Sequence, residues 1–171
     1  MVKEGIPSEA ALRAAARRVV RRLIERGETL ATAESCTGGW IAKLITDVAG
    51  SSAAFCGACV AYVNEVKIDL LGVSPEIIAR ESEVSAPCAE AMASGVRTRW
   101  HATYGASTTG YAGPTGGNDR DPVGTVYIAI ATPDGCRSER FSAPEGASRT
   151  EVRRAAAMRA LGLLEQNLEN G

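Results

Sequence analysis

A short, partly β-branched run, Glu28-Thr29-Leu30-Ala31-Thr32-Ala33, leads through Ser35-Cys36-Thr37-Gly38-Gly39 into the helix-like run Ile41-Ala42-Lys43-Leu44-Ile45. A strand that turns straight into a helix is the building unit of α/β domains, so this stretch narrows the fold class more than any other. Two glycines let the backbone pass close to a ligand. The first N–H groups of the following helix point into such a turn, and the helix dipole favours an anion there. Ser35 and Thr37 add hydroxyls. A plain tight turn with a Ser or Thr cap fits the same residues.

The rest of the chain repeats the alternation. Ser8 reads as the N-cap of a helix to about Arg26, with Gly27 as its C-cap. Leu12, Ala15, Ala16, Val19, Leu23 and Ile24 form its apolar stripe, and Arg13, Arg17, Arg18, Arg21 and Arg22 crowd its remaining surface. The helix after the serine turn is expected to reach about Val48, where Gly50-Ser51-Ser52 ends it. Residues 54–62 are almost continuously apolar, the pattern of a strand buried on both faces. Asn64 is expected to cap a helix through Leu71, residues 75–79 to form a helical turn, and Ser85 with Pro87 to open a further helix. Residues 103–109 read as a strand ending in a glycine-rich loop over 110–119. Residues 123–131 and 137–142 read as strands joined by Pro133-Asp134-Gly135, and a last helix covers about 150–168. The pattern predicts one domain over residues 1–171, a three-layer α/β/α sandwich with a mixed, mostly parallel sheet and a terminal β-hairpin.

Composition excludes several functional classes. The formal net charge of −1 gives no general attraction to nucleic acid or to anionic membrane. No apolar run reaches the length of a membrane span, and Met1-Val2-Lys3-Glu4-Gly5 leads into charged helix rather than a signal-peptide core. A cytoplasmic protein with neither nucleic-acid nor membrane partners is expected. The five cysteines, an odd number, read as free thiols. Cys56-Gly57-Ala58-Cys59 lacks the second ligand pair a zinc site needs, and its position within a strand does not suit a redox motif. With His101 the only histidine, no metal site is expected and a Ser-His-Asp triad is disfavoured.

Four places converge at the carboxyl ends of the predicted strands, where open α/β sheets bind ligands. They are the Ser35 turn, the junction Tyr62-Val63-Asn64-Glu65-Val66-Lys67, the loop over 110–117 and the start of the last helix. A lysine set among Val66 and Ile68 can lose its proton through desolvation and act as a base toward a serine hydroxyl. A surface lysine and a core-filling tyrosine are the plainer reading. The glycine loop matches neither the P-loop nor G-x-G-x-x-G, yet its backbone N–H groups can cradle a phosphate or a ribose. Arg149, Arg153 and Arg154 oppose the dipole of the last helix, which fits an anionic ligand or simple ion pairing.

Taken in order, Thr32-Ala33-Glu34-Ser35-Cys36-Thr37-Gly38-Gly39, Gly50-Ser51-Ser52, Tyr62-Val63-Asn64-Glu65-Val66-Lys67, Gly110-Tyr111-Ala112-Gly113-Pro114-Thr115-Gly116-Gly117, Pro122-Val123-Gly124-Thr125-Val126 and Arg149 with Arg153 resemble the CinA C-terminal domain family, the nicotinamide mononucleotide (NMN) deamidases. The resemblance spans nearly the whole chain. It implies hydrolysis of NMN to nicotinate mononucleotide and ammonia in pyridine nucleotide salvage, without metal or cofactor, by a homo-oligomer that is commonly a dimer. It implies the stand-alone form, without the larger N-terminal domain of long members.

Carried over by position, the resemblance gives two candidate nucleophiles, Ser35 and Ser52. Ser52 is favoured, with Ser35 and Thr37 holding the ligand. Lys67 would be the base and Tyr62 would relay or position the proton. Thr109, Gly110 and Gly113 would contact the nucleotide and Arg149 its phosphate, with Gly38, Gly39 and Asn64 completing the substrate-binding set. Thr109 stands where many relatives carry Ser, Tyr111 replaces an aliphatic residue, and Cys56-Gly57-Ala58 replaces a more polar stretch. A second reading is a non-catalytic nucleotide-binding or oligomerising module linked to competence or DNA damage. A Tyr/Lys dehydrogenase comes third, because Tyr62 and Lys67 are five apart and no dinucleotide fingerprint accompanies them.

Overall fold

A computed structural model describes residues 5–170, and the expectation for the leading segment falls on residues 1–4, outside them. The elements run α1 (Glu9–Arg26), β1 (Leu30–Glu34), α2 (Trp40–Thr46), a 3₁₀ turn (Ser51–Ala53), β2 (Phe55–Val60), α3 (Asn64–Leu71), α4 (Pro75–Glu81), α5 (Ala86–Arg99), β3 (Tyr104–Gly110), β4 (Thr125–Thr132), β5 (Gly135–Ser142) and α6 (Arg149–Asn170). The five strands form one sheet in the order β2-β1-β3-β4-β5. β1 pairs in parallel with β2 and β3, whereas β3–β4 and β4–β5 are antiparallel. Four strands thus share a direction and β4 alone runs against them.

Side-chain alternation along the strands builds two cores, one on each side of the sheet. Val126, Ile128 and Ile130 of β4 pack with α1, α2 and α6, while Tyr127, Ala129 and Ala131 pack toward α5. Ala31 and Ala33 of β1 meet Cys88, Met92 and Val96 of α5. The result is the expected three-layer α/β/α sandwich.

Local signals place the helix ends. Ser8 Oγ accepts the Ala11 N–H at 3.1 Å, and Gly27 ends α1 with φ 65°. Ser85 caps α5 through the Cys88 N–H. Asn64 is the first residue of α3 rather than its cap, a position held by Val63 without a side-chain bond. In α1, Val20 is buried and Ile24 is 44% exposed, so the stripe is rotated from the expected one. β2 departs most from expectation. It lies at the sheet edge, and Phe55, Gly57 and Cys59 are partly or fully buried while Cys56, Ala58 and Val60 are exposed, so only one of its two faces is covered. Cys56 is exposed and Cys59 buried, and all five thiols are free.

Candidate functional site

β1 ends in Glu34, a carboxylate with 0% exposure. It accepts hydrogen bonds from Thr37 Oγ1 at 2.6 Å, the Ile41 N–H at 3.1 Å and the Ala42 N–H at 2.8 Å. A buried carboxylate requires such donors, and the first amides of α2 supply them. This overturns the expectation that the N-terminus of α2 receives a ligand anion, because Glu34 already occupies it. Thr37 is fully buried, and its hydroxyl also meets Thr108 Oγ1 at 2.7 Å. Gly39 precedes α2 at φ 87°, a conformation a side chain would strain. Replacing Glu34 by Ala orphans these donors and should lower stability by about 3 kcal/mol or more, read as a lowered urea midpoint.

The other side of the turn is held from α6. Arg153 Nη2 donates to the Thr37 carbonyl at 2.8 Å, and its guanidinium lies 5.1 Å from the Trp40 ring centroid. Gly38, Gly39, Trp40 and Arg153 line a separate, shallow surface depression. Thr37, Gly38 and Gly39, expected to bind substrate, therefore do not reach the cavity described next.

That cavity, of about 180 Å³, opens at the carboxyl ends of β1, β2 and β3. β1 leaves toward β2 and β3 leaves toward β4, so the chain diverges there and a crevice forms. Ser35 and Cys36 enter the wall from the end of β1, Tyr62 from beyond β2, and Thr109 and Gly110 from β3. Lys67 comes from the second turn of α3, Glu83 and Val84 from the loop before α5, Tyr111 and Ala112 from the glycine-rich loop, and Arg149 from the first residue of α6. Gly110 is required by close approach, since a Cβ there would meet the Thr125 carbonyl oxygen at 2.5 Å.

Lys67 is 2% exposed. Burial pushes its amine below the ordinary lysine range, while Cys88, Glu83 and Cys36 nearby pull the other way. Burial drives the Cys36 thiol up to about 12, so it stays protonated and unreactive at neutral pH. Tyr62 is 58% exposed, and its Oη accepts from Arg149 Nη2 at 2.7 Å, which leaves the phenol proton free to be donated. Arg149 Nη1 reaches the Gly113 carbonyl at 2.7 Å. The arginine thereby ties the end of β2 to the glycine loop. Thr109 Oγ1 donates to the Glu83 carbonyl at 2.6 Å. The far side of the loop is anchored by buried Asp121, which receives Tyr127 Oη at 3.1 Å and Arg140 Nε at 2.9 Å.

The structure does not bring Ser52 to this site. It is exposed in the 3₁₀ turn that feeds the start of β2, whereas Tyr62 follows the end of that strand. Six residues at ~3.3 Å each put the two ends of β2 roughly 16 Å apart. Asn64 and Gly113 also lie outside the lining, although the Gly113 carbonyl holds Arg149. Arg153 and Arg154 bind the carbonyls of Thr37 and Pro7, so of the three arginines only Arg149 faces the cavity. Cys36, Glu83, Val84 and Ala112 complete the wall without having been named as site residues, and Tyr111 stands in it as the departure from the family pattern suggested. Among the described residues no cluster of His, Cys, Asp or Glu could hold a metal ion, and no helix is long and apolar enough to cross a membrane.

A mixed sheet between two helical layers, with a hydroxyl, a buried amine and a guanidinium gathered at its switch point, defines an α/β protein with a polar ligand cleft. The CinA C-terminal domain family matches residues 12–168, and the chain belongs to it. A CinA-like protein of Thermosynechococcus vestitus is 49% identical over 153 residues, covering 88% of this chain and 36% of that protein. One of Myxococcus xanthus is 49% identical over 151 residues, covering 88% and 35%. The chain therefore spans about a third of the length of these relatives. The crystal structure of competence/damage inducible protein CihA from Agrobacterium tumefaciens superposes with a TM-score of 0.89 at 36% identity, covering 96% of this chain and 98% of that one. Competence damage-inducible protein A (ComA) from Klebsiella pneumoniae gives a TM-score of 0.88 at 34% identity, covering 92% and 97%.

Proposed function

We propose that the chain is an amidohydrolase that converts NMN to nicotinate mononucleotide and ammonia. The observation that carries this reading is the meeting of the Ser35 hydroxyl, buried Lys67 and Arg149 in one cavity. Neutral Lys67 takes the Ser35 proton as Oγ attacks the carboxamide carbon. The resulting ammonium returns that proton to the leaving nitrogen, the C–N bond breaks and ammonia departs. Water then adds to the acyl-serine with Lys67 again as base, and the carboxylate leaves as Ser35 regains its proton. Tyr62 donates from its free phenol O–H to the developing oxyanion or to the leaving group. Arg149, with donors remaining beyond its two protein bonds, holds the 5′-phosphate.

The purified protein should release ammonia and nicotinate mononucleotide from NMN in equal amounts. Binding of NMN without ammonia release would instead support the non-catalytic nucleotide-binding reading. The proposal includes a homo-oligomer, and a monomer at all concentrations in sedimentation velocity would remove that part.

Arg149→Ala should raise the Kd for NMN about 10- to 100-fold, the worth of charge-assisted hydrogen bonds to one phosphate. The Kd for nicotinamide riboside, which lacks the phosphate, should change about threefold at most. Equal losses for both ligands in calorimetry would remove the phosphate assignment.

A further inference from the structure

We propose that Glu83 is a specificity-determining residue that favours amide substrates whose aromatic ring carries a positive charge over their neutral counterparts. The inference rests on the amidohydrolase reading and concerns the ring the site selects.

Among the described residues Glu83 is the one carboxylate on the cavity wall; it is half-buried, and its loop is fixed on both sides. Its carbonyl accepts from Thr109 Oγ1, and the preceding Ser82 carbonyl accepts from Ser85 Oγ at 2.8 Å. Ser82 sits at φ 85° and ψ 156°, an extended positive-φ conformation almost confined to glycine, which a serine adopts at a cost of about 1–3 kcal/mol. That conformation lets Ser82 Oγ accept the Val84 N–H at 3.2 Å and donate to Glu83 Oε2 at 3.2 Å. A strained residue, two hydroxyls and a helix cap thus converge on the placement of this side chain.

Among the described residues the ion pairs go to other carboxylates, and Glu83 Oε2 is met by the Ser82 hydroxyl. The nearby charge it acts on is the Lys67 amine, which the mechanism requires in its neutral form. With Lys67 neutral, the charge that Glu83 acts on there is gone, and its carboxylate keeps the Ser82 hydroxyl as a donor. Arg149 offers the opposite sign at the cavity wall. A substrate with an anionic phosphate and a cationic heterocycle matches both signs, and a neutral ring leaves Glu83 unanswered. A half-buried charge in a partly closed cavity is screened less than one in open water, so the contact discriminates.

The test compares Glu83→Gln with the wild type on NMN and on reduced NMN, which keeps the carboxamide and phosphate but has a neutral dihydropyridine ring. The quantity read is the ratio of kcat/KM values for the two substrates, and the change of that ratio cancels their different intrinsic reactivity. Glu83→Gln should lower the preference for NMN about tenfold, a modest value for one charge contact. An unchanged ratio overturns the proposal. Equal losses on both substrates with a displaced pH profile also overturn it, because Glu83 would then act through Lys67. If the wild type turns over neither substrate, the amidohydrolase reading fails. The Kd values of both ligands for both proteins then carry the same comparison, and an unchanged Kd ratio overturns the Glu83 assignment. Equal melting temperatures of the two proteins establish that the isosteric change leaves the fold intact.

Discussion

Ser35→Ala should reduce ammonia release from NMN by about 10⁴-fold or more, while Ser52→Ala stays within about twofold of the wild type. Ser35 follows the last residue of β1 directly and shares the cavity wall with Lys67. Ser52 stands at the other end of the parallel strands, and no side-chain flexibility spans that separation. Cys36 lies in the same wall but cannot substitute, because its thiol is held protonated by burial. Ser35→Ala removes one oxygen from a buried position, so NMN binding and thermal stability should persist. A rapid-quench experiment on the wild type should show the acyl-enzyme, and the variant should lack it. Activity lost in Ser52→Ala and kept in Ser35→Ala would invert the assignment.

Lys67→Met should lower turnover by about 10²- to 10⁴-fold, the range for loss of general-base assistance, while NMN still binds. His101, the only histidine, cannot take over as base, because it is exposed beyond the end of α5. The wild-type rate should rise with pH through an ionisation below the ordinary lysine value of 10.5, and the residual rate of the variant should lack that limb. The same substitution should raise stability. Folded Lys67 holds its proton less tightly than the unfolded chain, so between the two pKa values the unfolded state binds more protons. Stability therefore rises with pH across that window and is penalised most below the folded pKa. Methionine removes the penalty, so the gain in Tm should be largest at low pH and vanish above the unfolded value, at about 3 °C for each 1 kcal/mol relieved. Near-wild-type turnover, or a Tm that falls at every pH, would return Lys67 to a structural role.

The elements legible in the sequence are those specified by nearby residues. Ser8 and Gly27 bound α1 because a cap satisfies amides three residues away and a left-handed glycine ends the same helix. The terminal hairpin was legible for the same reason, with Thr132 pairing Gly135 across Pro133-Asp134. What escaped depends on tertiary placement. The apolar run over 54–62 suits a central strand, yet the sheet order puts β2 at the edge. The Ser35 turn has free amides in sequence terms, and only the fold shows Glu34 turning back to take them. Ser35 and Ser52 are equivalent as hydroxyls until the parallel register sends them to opposite ends of the sheet. Glu83 lies between the helical turn over 75–79 and the helix opened by Ser85, where no motif singles it out. The positive φ of Ser82 beside it has no sequence signal either.

The order of the strands also bears on how the molecule comes into being. β1 lies between β2 and β3, and Leu30 finds one of its partners, Tyr104, only after α5 has been made. Contacts so distant in sequence close slowly, because the intervening segment must be ordered before they form. Arg149 arrives later still and ties Tyr62 to the glycine loop. A chain emerging from the ribosome therefore carries its serine and its lysine long before the guanidinium that completes the cleft. On the proposed reading, turnover during synthesis would begin only once the helix that carries Arg149 has docked, which makes the onset of activity a clock for that step of folding.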